Sequence, residues 1–281
     1  MGSDLSVTRE LSLIEFDQHP PQERAGARHW LARSQNFSVE WIEARRGPAS
    51  VAIVSEYETL VLVFGAAARI EAGAATVTAR PRSVCILPAG AGAIELASGG
   101  QCVVLASQRS DIDAATAINA SNFLTPDARI APPTPAYRRR TDPGAIVVID
   151  IDTIKAPADN PRLKMLQSAT LSINWVEYVG ARDRRALSPH SHADLEQGSL
   201  ALAGRFVHHL REPWGRDADL WRDDRHLTVG SPSLLVVPVN MIHTSEGIEA
   251  GPHLLIDVFA PPRRDFIAKG WVANASDYEA P

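Results

Sequence analysis

The chain has 281 residues, 45% hydrophobic and 22% charged, with a mean hydropathy of −0.10; that is enough for one large or two ordinary domains with a buried core. A net charge of −5 and a pI near 6.0 provide no basic field for a phosphate backbone, which argues against nucleic acid as a partner. No run approaches the roughly 18 apolar residues of a membrane span and no charged-then-apolar leader opens the chain, so no membrane partner is expected, while two cysteines in apolar runs, Cys85 and Cys102, read as buried free thiols of a reducing cytoplasm.

Along the chain, Met1-Gly2 with Ser6 fits a myristoylation pattern, one short enough to recur by chance. Residues 59–64 are continuously apolar, as in a strand buried on both faces. Residues 68–72 and 75–79 flank Gly73 as a hairpin would, residues 83–87 lead into Pro88, and 102–106 form another apolar run. Leu124 to Gly144 is broken by Thr-Pro, Pro-Pro, Thr-Pro and Asp-Pro steps, and its Arg138-Arg139-Arg140 run reads as solvated. Beyond it the pattern returns at 198–203, 206–210, 233–237 and 253–259. Twenty prolines, eighteen glycines and few lysines fit many turns and little long helix. The expectation is an all-β fold with minor helix.

The two halves repeat one another. Ser38-Val-Glu-Trp41-Ile-Glu43 matches Ser172-Ile-Asn-Trp175-Val-Glu177; Glu58 and Gly65 match Gln197 and Gly204; Pro88-Ala-Gly90-Ala-Gly-Ala93 matches Pro238-Val-Asn240-Met-Ile-His243. The order is kept while the offset grows, which marks a duplicated domain with insertions in its second copy. The expected division is 1–130 and 131–281.

Seven of nine histidines fall in the second copy. His190 and His192, at i and i+2 on a strand, point to one side of a sheet. With His243 from a distant strand and a side-chain oxygen they make a mixed nitrogen and oxygen set for a divalent transition metal. Glu196 and Gln197 are adjacent, so only one can face inward; counting back from Gly204 selects Gln197, with Glu196 the alternative. In the first copy the same offsets place Val51, Ile53 and Ala93 at the histidine positions and keep only Glu58, so no metal is expected there.

At these residues the second copy resembles the cupin superfamily. The family's first motif, Gly then His-x-His, Glu and Gly, is met by Gly180, His190, His192, Gln197 and Gly204. Its second, Gly then Pro-x-Gly-x-x-His, is met by Gly230, Pro238 and His243. The departures are Gln197 for Glu, Asn240 for Gly, and a long spacer before His190. The resemblance covers nearly the whole chain as a bicupin. It implies two tandem jelly-roll barrels, with metal in the mouth of the C-terminal one only, and a homodimer.

Metal-holding cupins include many dioxygenases, so the resemblance favours a non-haem Fe(II) dioxygenase acting on a small organic substrate, aromatic or carboxylate. Open alternatives are a non-redox isomerase, lyase, decarboxylase or hydrolase using Mn, Zn or Ni, and a non-catalytic ligand-binding bicupin. His208 and His209 face opposite ways on one strand, and one of them is a candidate proton shuttle. Arg211, Trp214 and Trp221 lie in the main insertion, where a loop over the barrel mouth is a candidate substrate contact.

Overall fold

The structure, a computed structural model, describes residues 10–158 and 160–281; the pattern at residues 1–6 lies outside them. Strands dominate, and the one α-helix among the described residues is Arg264–Ala268. No helix there is long and apolar enough to cross a membrane.

Strand periodicity sorts the sheets into two barrels. Ala49–Ser55 is buried at every second residue, as a strand with one wet face must be. It joins Gly90–Leu96, Ala68–Ala72 and Ala75–Ala79 in the outer sheet of the first barrel. Thr59–Val63 and Ser83–Leu87 are buried throughout because both of their faces are used. Val61 and Val63 pack inside the first barrel with Ile70 and Ile94. Leu60 and Leu62 point the other way, onto Trp175, Leu200 and Ile256 of the second. The large sheets of the two barrels therefore share one apolar core. Cys85 and Cys102 are free and buried inside the first barrel, where burial pushes the Cys85 thiol up to about 12.

The second barrel has a six-stranded sheet that includes Ser233–Val237, Gln197–Ala203, Pro252–Phe259 and Ser172–Val179. A three-stranded sheet of Arg225–Val229, Phe206–Arg211 and Ile242–Gly247 faces it. The chain trades a strand in each direction. Ser12–Glu15 pairs with Ser233–Val237 of the second barrel, and Val147–Asp150 pairs with Ser83–Leu87 of the first. Both exchanges cross the division expected at residue 130, since each segment finds an edge strand of the other barrel to hydrogen-bond.

Strand register corrects the alignment of the two copies. Thr59 faces Leu87 as Gln197 faces Val237, each just before a proline, so Thr59, not Glu58, is the counterpart of Gln197. A bulge between Ala201 and Ala203 adds one residue to the second copy and hides the shift from a count made back from the glycine. Gly92 pairs with Ile53 as His243 pairs with His190. Ile53, Ser55, Thr59 and Gly92 thus stand at the positions of His190, His192, Gln197 and His243. Glu58 corresponds to Glu196, and both reach across to the other barrel. Glu58 accepts from the Ala169 N–H (2.8 Å), the Tyr278 hydroxyl (2.7 Å) and Arg139 Nε (2.6 Å); Glu196 accepts from the Gln35 N–H (2.8 Å).

Candidate metal centre

The loop before Gln197–Ala203 carries two of the three histidines. It is extended but forms no regular strand, being tied to Ile242–Gly247 by one antiparallel bridge, His190 to His243 (N···O 3.1 and 2.8 Å). The Asn240 N–H donates to the His192 carbonyl at 2.6 Å. Asn240 has φ +65°, the left-handed conformation that Asn tolerates better than other side chains, so it can serve where the family motif has Gly. Gly204 has φ +89°, and a Cβ there would lie 2.6 Å from the His253 ring, so the motif's final glycine is enforced twice.

His190, His192 and His243 converge with ring centroids 4.4 to 5.3 Å apart, and their ligand atoms lie within 4.8 Å of one another. Among the described residues they form the one such group of histidine, cysteine and carboxylate side chains. His190 Nδ1 lies 2.9 Å from the Ser188 carbonyl and His243 Nδ1 2.9 Å from the Met241 carbonyl. A carbonyl only accepts, so each Nδ1 carries the proton and each Nε2 is left as a lone pair, the form a metal takes. Burial depresses His192 to about 4, aided by the nearby Arg263 charge, and burial with the His190 charge depresses His243 to about 3. Both are neutral at physiological pH.

Gln197 faces this group and Glu196 does not. Gln197 Oε1 lies 2.9 Å from His192 Nε2 and 3.1 Å from His243 Nε2. Its Nε2 donates to Asp257 Oδ1 (2.9 Å) and Ser199 Oγ (3.1 Å), which fixes the amide with its oxygen toward the histidines. His243 Nε2 and Gln197 Oε1 are thus two acceptors with no hydrogen between them, an arrangement that a shared cation resolves. The donor set fits a divalent transition metal, held by three neutral imidazoles and one amide oxygen. Asp257 sits behind Gln197; burial raises its carboxyl to about 6, against the pull of His190 and the Asn174 and Ser199 hydrogen bonds.

His190, His243 and Gln197 line a cavity of about 180 Å³ that also takes in Asn174, Asp257, Tyr178, Arg162 and Arg182. Nothing in the letters marks Asp257 or the arginines, because a single charged residue in a strand or loop has no spacing to announce it. Of the other candidates, His208 points inward. Its Nδ1 meets Ser245 Oγ (2.8 Å), its Nε2 is buried without a partner, and burial lowers it to about 4. His209 lies on the outer face between His226 (2.8 Å) and Glu246 (2.9 Å), in a second groove of about 760 Å³ that His243 also lines. Arg211 lines that groove too, paired with Asp224 (2.5 Å). Trp214 and Trp221 stack on each other (4.4 Å, 6°) and line neither space. The structure therefore brings the metal candidates together, keeps Arg211 in a groove that His243 also lines, and leaves Trp214 and Trp221 outside both spaces.

The first barrel fills the corresponding interior with charge of its own. Glu40, the counterpart of Asn174, is fully buried with Arg109, which donates to it at 2.5 Å, and with His29 (2.9 Å) and Arg24. Burial raises the Glu40 carboxyl, but the His29 hydrogen bond and the two guanidiniums outweigh that and hold it at about 2.

No protein-family model matches the chain, and no curated protein matches it by sequence. Solved structures do. Oxalate decarboxylase from Bacillus subtilis superposes with a TM-score of 0.59 at 13% identity, over 91% of this chain and 77% of that one. Protein Ylba from E. coli gives 0.58 at 12%, over 93% and 95%. The coconut allergen cocosin gives 0.59 at 12%, over 91% and 86%. At such identities the likeness speaks for the fold, which is that of the all-β cupin, jelly-roll proteins.

Proposed function

We propose that the protein is a metal-dependent enzyme whose divalent transition metal is held by His190, His192, Gln197 and His243 and whose substrate is a small organic molecule in the adjoining cavity. The observation that carries this reading is the convergence of three histidines, two with Nε2 fixed as a lone pair, on the Gln197 amide oxygen, which meets the His243 lone pair with no hydrogen between them. A metal bound there supplies Lewis acidity, and redox chemistry if it is iron. The chain's own residues do the rest. Ser188 and Met241 carbonyls hold two imidazoles in the ligating tautomer. Asp257 and Ser199 aim the Gln197 oxygen. A neutral ligand set leaves the metal's double charge uncompensated, which strengthens its grip on an anionic or polarisable substrate.

With iron bound, the reaction we propose is dioxygenation. A non-redox reaction with Mn, Zn or Ni has separate support: Asp257, a buried carboxyl on the cavity wall, is positioned for proton transfer, and oxalate decarboxylase shares the fold. The test is to load purified protein with each metal in turn and follow oxygen uptake and product release over a set of small acids and phenols. Oxygen uptake confined to the iron form selects the dioxygenase. Turnover without oxygen uptake in another metal form selects the non-redox reaction, and no turnover with any metal refutes the enzyme.

A further inference from the structure

We infer that Arg162 and Arg182 form an anion-binding subsite beside the metal ligands, which selects a compact carboxylate; the inference deepens the proposed function and rests on its cavity. Both arginines line the same 180 Å³ space as His190, Gln197 and His243. Arg182 is half-buried, and its guanidinium is held only by neutral groups, the Ser245 carbonyl (3.3 Å) and the Ala186 carbonyl (3.1 Å). Among the described residues no carboxylate pairs with it or with Arg162. The buried arginines elsewhere differ: Arg109, Arg139 and Arg263 each have a carboxylate within 2.7 Å.

The Arg182 guanidinium is taken partly out of water without an anion, which is costly, and the exposed Arg162 adds a like charge near it. Burial and the Arg162 charge both push the Arg182 pKa down, as they do when the compensating anion comes from outside the chain. Among the described residues the one carboxylate on the cavity wall, Asp257, is engaged by Gln197. The planar fork of a guanidinium matches a carboxylate with two parallel hydrogen bonds. The cavity is smaller than the roughly 300–1,000 Å³ of pockets for drug-sized ligands, so the ligand is short. A carboxylate at the arginines places the rest of such a molecule against the histidine wall.

The test is calorimetric titration of the full chain with malonate, with its uncharged diamide malonamide, and with inorganic phosphate. The same titrations are run on Arg162→Gln/Arg182→Gln, on Arg182→Lys and on His190→Ala/His192→Ala, with metal content and melting recorded for each. Malonate should bind the parent, and malonamide should not. The double arginine variant should bind malonate about 10- to 100-fold more weakly with metal content unchanged, and Arg182→Lys, which keeps the charge but loses the fork, should fall between. Absence of malonate binding, equal binding of malonamide, preference for phosphate, or full affinity in the folded arginine variants overturns the subsite. Failure of the metal reading looks different: a metal-free parent whose malonate binding still depends on the arginines and survives in His190→Ala/His192→Ala.

Discussion

Replacing Gln197 with Glu tests the site from both sides, because it adds one charge at a known place. In the parent, Gln197 Nε2 donates to Asp257 Oδ1 at 2.9 Å. A carboxylate in the same rotamer puts an oxygen where that N–H was, so two buried carboxylates meet. With charge centres about 4 Å apart and an effective dielectric near 20, their repulsion is about 4 kcal/mol, or roughly three pKa units. The metal-free variant therefore keeps a proton on the pair well above the pH at which Asp257 alone ionises, about 6. A carboxyl whose pKa is raised on folding binds protons more tightly folded than unfolded, so stability falls as pH rises through that window. Metal-free Gln197→Glu should melt close to the parent near pH 5 and well below it at pH 8. Metal reverses the sign: the added carboxylate is a better ligand, and the metal-induced rise in Tm at pH 8 should exceed the parent's. Melting curves with chelator and with Mn or Zn at the two pH values measure both effects. A variant that melts like the parent in chelator and gains no more from metal would refute the placement of Gln197 between Asp257 and the histidines.

Other outcomes follow from the same geometry. His192→Ala should abolish metal binding while the cooperative melt is retained, since the first barrel folds without such ligands; loss of the fold would mean that the metal is structural. His192 and His243 are held neutral in the folded chain at about 4 and 3, below the unfolded value near 6.5. The unfolded state thus binds more protons between about pH 4 and 6.5, so metal-free stability should rise with pH across that window and level off above it. Bound metal should be released on acidification nearer pH 4 than 6.5; release at the higher value would contradict the burial of these rings. Arg109→Met leaves Glu40 buried without its principal ion partner and should cost about 3–5 kcal/mol in denaturant unfolding, with the metal content of the folded protein unchanged.

The sequence carried much of this because strand burial writes itself in periodicity. The hairpin at Ala68–Ala72 and Ala75–Ala79 and the strands Ser83–Leu87 and Ser233–Val237 lie where the apolar runs placed them. The histidines were legible as a group since i, i+2 spacing and a second motif bring them together in any barrel of this kind. Register was not legible. The bulge at Ala201–Ala203 lies inside a uniformly apolar run, so nothing in the letters shows that Thr59, not Glu58, matches Gln197. Strand exchange by Ser12–Glu15 and Val147–Asp150 depends on which barrel offers a free edge, a tertiary fact. The insertion was the most conspicuous stretch near the motif, yet Trp214 and Trp221 satisfy each other by stacking. The cavity takes its charge instead from Asp257, Arg162 and Arg182, which are unremarkable in sequence.

The central claim is that the second barrel holds one metal ion through His190, His192, Gln197 and His243. Elemental analysis of untagged protein purified without chelator, beside His190→Ala/His192→Ala, tests it most directly. About one equivalent of a transition metal in the parent and none in the folded variant is the predicted result. No metal in the parent, even after reconstitution with Fe(II), Mn, Zn and Ni, would contradict it.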